Sequence, residues 1–187
     1  MMKFKLGALV ALSLVAASAA QAQQPNLNLI VGFAPGGSAD SIARIVGARM
    51  QEKSGRNVVV ENRPGAGANI ATKAVVTATP DGNMLLVTTA ALPINETLYR
   101  NKGFAGTVLK PIAVVATTPE VFAIGKNDTS KDLAEFVANQ KDREVIFATA
   151  GIGTGSHIAG EYFFKFILKA NPKHVPFRGG PDATNAL

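Results

Sequence analysis

Apolar and polar positions alternate along the chain in a way that predicts strands and helices following one another. The apolar run Leu29–Phe33 predicts a buried strand. Asp40–Lys53 predicts an amphipathic helix, which Gly55 is placed to end. The apolar stripe expected on that helix consists of Ile42, Ile45, Val46 and Met50.

The same alternation continues over the next stretch of chain. Val58–Glu61 predicts a strand, Asn69–Ala78 a short helix, Met84–Thr88 a further strand and Ile94–Tyr99 a helical turn. The resulting strand–helix order is typical of a mostly parallel sheet with helices on its faces.

Two apolar runs, Ile112–Ala116 and Val121–Ile124, predict strands that carry the chain out of this first unit. A second unit is expected to begin near Gly125. Its first helix is predicted over Asp132–Asn139, with Ser130 as the N-cap. The inward-facing residues of that helix are predicted to be Leu133, Phe136 and Val137.

The remainder of the second unit repeats the strand–loop–helix order. Val145–Ala148 predicts a strand, Ala150–Gly155 a glycine-rich loop and Ser156–Leu168 a helix with Ile158, Tyr162 and Ile167 among its apolar positions. Val175–Phe177 predicts a short extended segment. The turn Arg178–Pro181 then leads into the start of another helix.

The first 22 residues have the three-part pattern of a secretory signal peptide. Lys3 and Lys5 form a positive start, Leu6–Ala17 an apolar centre, and small residues end at Ala22, where cleavage is expected. The apolar centre is shorter than the roughly 20 residues that a membrane-spanning helix needs. We therefore predict an exported, periplasmic protein with a first α/β lobe at 23–124 and a partial second lobe at 125–187.

Composition narrows the possible chemistry. The chain has no cysteine and two histidines, which argues against disulfides and against a metal site of recognisable spacing. The formal net charge of +6 is scattered and includes the two lysines of the leader. It favours encounter with anions, but no basic block with interleaved aromatic residues points to nucleic acid.

The octet FAPGGSAD (Phe33–Asp40) joins the first strand to the first helix. Glycines at the end of a strand let the backbone approach a ligand, and the helix start offers unpaired N–H groups, which suits a carboxylate or a phosphate. Asp40 could cap the helix or hold an amino or hydroxyl group. An ordinary strand-to-helix turn explains the octet equally well.

A second glycine-rich loop, GIGTGSH (Gly151–His157), precedes a helix in the second unit. Neither loop has the glycine spacing of a dinucleotide site or the lysine of a P-loop, so no nucleotide cofactor is expected. Asp40 and His157 are the available candidates for an exported enzyme, but Ser156 and His157 are neighbours in sequence and lack a nucleophile elbow. Binding or helix capping by His157 is the favoured interpretation.

Six segments in this order closely resemble the Bug family, also called TctC, the extracytoplasmic receptors of tripartite tricarboxylate transporters. They cover nearly all of the chain that follows the leader, and their fixed order is more specific than any single loop. The segments are IVGFAPGGSADSIAR (30–44), VVVENRPGAGANIAT (58–72), TPDGNMLLV (79–87), INETLY (94–99), GTGSHIAGE (153–161) and HVPFRGG (174–180).

The resemblance implies an α/β fold of the periplasmic binding protein type II class, with two lobes that close on a small organic anion, usually a carboxylate, without any catalysis. It implies membrane transporter subunits as partners, with a sensor kinase as an alternative partner. Backbone N–H groups and hydroxyls of both loops would contact the ligand. The implied site residues are Pro35, Gly36, Gly37, Ser38, Ala39, Asp40, Thr88, Thr89, Ala90, Thr149, Gly153, Thr154, Gly155, Ser156, His157 and Arg178.

Two departures from the family pattern affect these expectations. Ala39 stands where many relatives carry a hydroxyl residue, which leaves the identity of the ligand open. Relatives also continue well beyond the turn that matches Arg178–Gly180 and complete the second lobe. If the chain ends at Leu187, a non-functional receptor fragment is the alternative expectation.

Overall fold

The computed structural model describes residues 24–140 and 144–187. The predicted signal peptide at 1–22 lies outside the described residues. Within the described part, no helix combines the length and apolar character needed to cross a membrane.

The first unit is built on a three-stranded parallel sheet, as the strand–helix order predicts. Its strands are β1 (Leu27–Val31), β2 (Val58–Asn62) and β3 (Met84–Val87), arranged in the order β2-β1-β3. Leu27 pairs with Val58 at one side of β1, and Asn28 pairs with Met84 at the other. Because β1 is central, its residues Leu29–Val31 are almost fully buried.

Three helices accompany this sheet: α1 (Ser38–Ser54), α2 (Asn69–Val76) and α3 (Ala91–Leu98). Gly55 ends α1 in the left-handed conformation, as expected. The stripe predicted for α1 is partly wrong, because Ile45 is 67% exposed while Ala43 and Gly47 are buried. A Cβ at Gly47 would lie 3.2 Å from Leu29, so small residues let this helix lie close to the sheet.

The second unit contains a two-stranded parallel sheet of β4 (Ile146–Thr149) and β5 (Lys173–Pro176). Its helices are α4 (Leu133–Asn139), α5 (Gly155–Glu161) and α6 (Gly180–Asn185). The helix predicted over Ser156–Leu168 changes to a π-helix at Tyr162–Ile167. The smaller rotation per residue in a π-helix brings the consecutive residues Phe163 and Phe164 to one face, where both join a core with Val145 and Phe147.

Three local predictions are wrong. Ile112–Ala116 and Val121–Ile124 form no strand, since no described strand pairs with them, and they lie exposed. The cap of α4 is Asp132, not Ser130, because Asp132 Oδ1 accepts a hydrogen bond from Glu135 N at 2.8 Å. Leu133, expected to face inward on α4, is more than half exposed.

Candidate ligand cleft

A cavity of about 290 Å³ lies where the two units meet, at the carboxyl ends of β1 and β4. Open α/β folds place their ligands at this end of the strands. Among the described residues that line it, Arg178 is the one with a charged side chain. The walls are formed by Gly32 and Phe33, Gly65–Ala68, Tyr99, Ala150–Ile152, and Pro176–Arg178.

One wall of the cavity is a turn with an unusual backbone. Ala66, Gly67 and Ala68 have φ values of 48°, 59° and 73°, so three consecutive residues lie in the left-handed region. For alanine this conformation is strained. Successive N–H groups in such a turn point to one side, and concave arrangements of backbone N–H groups bind anions.

Tyr99 is another of the residues that line this cavity. Burial raises the pKa of Tyr99 above its ordinary value, so the hydroxyl remains protonated and able to donate at neutral pH. The residues that line the cavity therefore include one cationic side chain, Arg178, and one neutral hydrogen-bond donor, Tyr99. This combination can bind a carboxylate.

The carboxylate of Asp40, a residue that is 3% exposed, stabilises the predicted turn Pro35–Asp40. Gly36 N donates to Asp40 Oδ2 at 2.9 Å, Asn62 Nδ2 donates to Oδ1 at 2.9 Å, and Arg44 makes an ion pair with the same carboxylate at 2.9 Å. The hydrogen bond from Arg44, with those from Gly36 and Asn62, lowers the pKa of Asp40 to about 2. Asp40 is therefore a charged anchor of the turn whose oxygens already have partners.

This turn lies beside the cavity and is not part of its walls. Ala34 N donates to Arg178 O at 3.2 Å, and a Cβ at Gly179 would lie 2.9 Å from the Ala34 side chain. A Cβ at Gly37 would approach Pro181 to 3.5 Å. The turn of the second unit that carries Arg178 thus packs directly on the glycine-rich turn of the first.

The loop that follows β4 is held by its own hydroxyls. Thr154 is buried, donates from Oγ1 to Gly151 O at 2.7 Å, and caps α5 by accepting from His157 N at 3.3 Å. Ser156 Oγ lies 3.0 Å from Thr154 Oγ1. These contacts fix Ala150–Ile152, which form the opposite wall of the cavity.

Both histidines of the chain lie behind this loop with their rings stacked. The ring centroids of His157 and His174 are 4.3 Å apart. His157 Nδ1 accepts from Gly153 N at 3.3 Å, and His174 Nε2 lies 2.6 Å from Thr149 Oγ1. Burial lowers the pKa of each imidazole, and for His174 the neighbouring His157 lowers it further. The pair therefore supports the loop in its neutral form.

The third predicted segment, Thr88–Ala90, joins β3 to α3. Thr88 Oγ1 is buried without a hydrogen-bond partner, and Thr89 Oγ1 accepts from Ala91 N at 3.2 Å. None of the three residues lines the cavity. Their placement beside the first lobe's strand end agrees with the sequence, while their contact with a ligand stays a prediction.

Of the predicted site residues, Arg178 is the one among the residues that line the cavity, and ligand contact by the others stays a prediction. The sequence analysis missed Tyr99 and the turn Gly65–Ala68 as lining residues. The glycines and alanines of PGAGA were the available signal for the turn. For Tyr99, which lies just after α3, the sequence offers no such signal.

A larger cavity of about 340 Å³ is lined mainly by residues of the second unit, and we do not assign the site to it. Many of its lining residues are apolar, and one wall is formed by the segment Glu120–Gly125. It touches Thr149 and Ser156 of the predicted site, and its lining residues from the predicted first lobe are confined to Glu120–Ile124. Among the described residues there is also no cluster of three or more side chains suited to hold a metal ion.

The family profile of the tripartite tricarboxylate transporter family receptor, TctC, matches residues 42–187. The chain belongs to this family, which comprises solute-binding receptors and not enzymes. It is 36% identical over 185 residues to a UPF0065 protein of Bordetella pertussis and 32% identical over 167 residues to the protein BugT of the same organism. These alignments cover 96% and 86% of this chain, and 57% and 51% of the relatives. The chain thus spans about half the length of the curated relatives it matches.

Solved structures confirm the predicted fold class. A Rhodopseudomonas palustris protein solved with adipate matches with a TM-score of 0.83 at 25% identity, covering 89% of this chain and 57% of that one. MatC from the same organism, solved with malate, matches with a TM-score of 0.71 at 28% identity over 88% and 57%. The periplasmic binding protein BugD matches with a TM-score of 0.75 at 29% identity over 88% and 56%.

Proposed function

We propose that the protein is a periplasmic receptor that captures a small organic anion, a carboxylate, between its two lobes and delivers it to a tripartite tricarboxylate-type transporter. The lobes correspond to residues 23–124 and 125–187. The observation that carries the proposal is the cavity at the carboxyl ends of β1 and β4. Its lining residues include Arg178, Tyr99 and a glycine-rich turn, and no carboxylate is among the described residues that line it.

Each part of the site has a proposed role in holding the anion. Arg178 supplies the charge, the left-handed turn Ala66–Ala68 supplies backbone N–H groups, and Tyr99 supplies a neutral donor. The ion pair of the buried Asp40 carboxylate with the half-exposed Arg44 keeps the glycine-rich turn in place beside them. Thr88–Ala90 and Thr149–His157 would contact the anion as the lobes close.

The class of anion is suggested by the cavity and by two structural neighbours. A volume of about 290 Å³ lies near the lower end of small-molecule sites, which suits a short carboxylate. The neighbours solved with adipate and with malate are 25% and 28% identical to this chain. We propose that this receptor takes an anion of the same class.

Isothermal titration with adipate and with malate tests this function. Arg178→Gln is expected to weaken the binding of either anion by about tenfold or more, because one charge-assisted hydrogen bond contributes about 1.5–3 kcal/mol. Arg100→Gln is the matched control, since Arg100 is exposed and is not among the cavity-lining residues. Equal affinity in wild type and Arg178→Gln would remove Arg178 from the site.

The proposed location rests on the predicted leader. The mass of the protein recovered from the periplasm is expected to correspond to a chain that begins at Gln23. A full-length mass that includes Met1, or recovery with the cytoplasmic fraction, would contradict export by cleavage after Ala22.

A further inference from the structure

Asn95 is a buried amide at the boundary between the two lobes. It lies in α3 of the first lobe and is 1% exposed. Its Nδ2 donates to Gly67 O in the left-handed turn at 2.7 Å. Its Oδ1 has no hydrogen-bond partner. A buried polar atom without a partner is costly, so its position needs an explanation.

The unpartnered oxygen faces the glycine-rich loop of the second lobe. A Cβ built at Gly153 would overlap Asn95 Oδ1 and would lie 3.0 Å from Cγ. Close by, a Cβ built at Gly67 would overlap Ile152 O. The absence of side chains at these two glycines therefore lets the two lobes meet around Asn95.

We propose that Asn95 is a positioning residue that latches the loop after β4 onto the first lobe and so sets the closed arrangement of the cleft. The amide nitrogen fixes the carbonyl of Gly67, and the amide oxygen forms the surface on which Gly153 packs. Neither Asn95 nor Gly153 lines the cavity. The effect on affinity, which rests on the proposed function, is therefore indirect and acts through the population of closed protein.

The latch can be tested without any ligand. Because the chain has no cysteine, Ala48→Cys in α1 and Lys173→Cys in β5 place one spin label on each lobe. We expect one narrow inter-label distance in the otherwise wild-type protein and a broader, longer distribution after Asn95→Ala. An unchanged distribution in Asn95→Ala would overturn the latch.

Thr72→Ala is the matched control for this experiment. Thr72 is also 1% exposed, and its Oγ1 donates to Ala68 O of the same turn at 2.9 Å. No described contact joins it to the second lobe. A merely structural role of Asn95 would give Thr72→Ala and Asn95→Ala the same distance distribution, which would also overturn the proposal.

A double-mutant cycle read by adipate titration gives the second test. Gly153→Ala is strained, because φ at this position is +81°, and it also collides with Asn95. We expect Asn95→Ala to weaken adipate binding roughly threefold to tenfold, and Gly153→Ala to cost less in that background than in wild type. Additive effects would overturn the contact. If wild type fails to bind adipate or malate, the proposed function fails for these anions, while the inter-label distances still decide the latch.

Discussion

At the scale of single residues, the buried charge of Asp40 stabilises the glycine-rich turn of the first lobe. Asp40 is enclosed by the first helix, yet its carboxylate keeps its charge because Arg44, Gly36 N and Asn62 all favour the ionised form. The sequence showed an acid at the start of a helix and left its role open between capping and ligand contact. Four contacts from three residues, two at each carboxylate oxygen, favour the structural role, since a carboxylate that also held a ligand would need a free acceptor position.

Asp40→Asn is expected to destabilise the protein by about 2 kcal/mol, because it removes a buried charge-assisted network. The pKa of Asp40 is lowered from 3.8 to about 2 on folding, so its contribution is fully present above pH 3.8 and is lost as the pH falls toward 2. Urea unfolding at pH 7 measures the loss. Glu52→Gln in the same helix breaks an exposed pair with Arg49 and should cost little. Equal losses for the two variants would contradict the anchoring role.

The stacked histidines predict a pH dependence of stability near neutrality. Burial lowers the pKa of both rings below 6.5, so the unfolded chain takes up protons first and stability falls as the pH drops through 6.5. Glu161, 3.9 Å from His157 Nε2, opposes the shift, and Lys165 adds to it. With two histidines in the chain, proton NMR can titrate each one directly.

We expect both imidazole titrations to have midpoints below 6.5. Unfolding free energies should decrease between pH 7.5 and pH 5.5 in wild type and change less in His157→Gln/His174→Gln. A midpoint above 6.5 for either ring would show that Glu161 outweighs burial.

At the scale of elements, the turn Ala66–Ala68 has three consecutive residues with positive φ, two of which are alanines. Ala66 is exposed, whereas Ala68 is 2% exposed and packs in the core of the first lobe. Ala66→Gly should therefore stabilise the protein by about 0.5–1 kcal/mol through relief of left-handed strain. Ala68→Gly relieves the same strain but loses a buried methyl group, so its gain should be smaller or negative. Thermal unfolding of both variants distinguishes them, and equal gains would contradict the burial argument.

The sequence predicted those elements whose partners are close along the chain. One helix connects β1 to its partner β2, and two helices and β2 separate β1 from its partner β3, so the strands of this sheet follow a regular local pattern of alternating strands and helices. It failed for Ile112–Ala116, because β-branched residues favour a strand only where a partner strand exists. It also placed Ile45 inside, because an apolar stripe does not show that small residues such as Gly47 make the closest approach to the sheet.

The candidate site was predictable to a similar degree. The two glycine-rich loops could be found because strand-to-helix turns have a local signature, and Arg178 could be found from the turn that carries it. Tyr99 and the left-handed turn line the cavity because residues of the second lobe pack opposite them. No local pattern reports that arrangement, and alanine at positive φ runs against ordinary preference.

At the scale of the whole molecule, the apolar residues of the segment 111–124 are the main unburied surface. Val114 is 86% exposed, Val121 80% and Ile112 79%, whereas Phe122 is about half exposed and packs its ring on Phe163. Contiguous exposed apolar surface of this kind is typical of protein–protein contacts. The segment contains no described helix or strand, so its backbone N–H and C=O groups can pair with a strand of another chain.

This 187-residue polypeptide is therefore expected to self-associate through the segment 111–124. Val114→Lys/Val121→Lys should shift it toward monomer, because two charges on the exposed apolar surface oppose pairing. Sedimentation velocity over a range of protein concentrations measures the shift. Thr117→Lys/Thr118→Lys adds the same charge within the same segment while leaving its apolar side chains in place. If both pairs of substitutions dissociate the assembly equally, the added charge and not the loss of apolar surface explains the dissociation. A wild type that is monomeric at every concentration would show that this surface is not an association site.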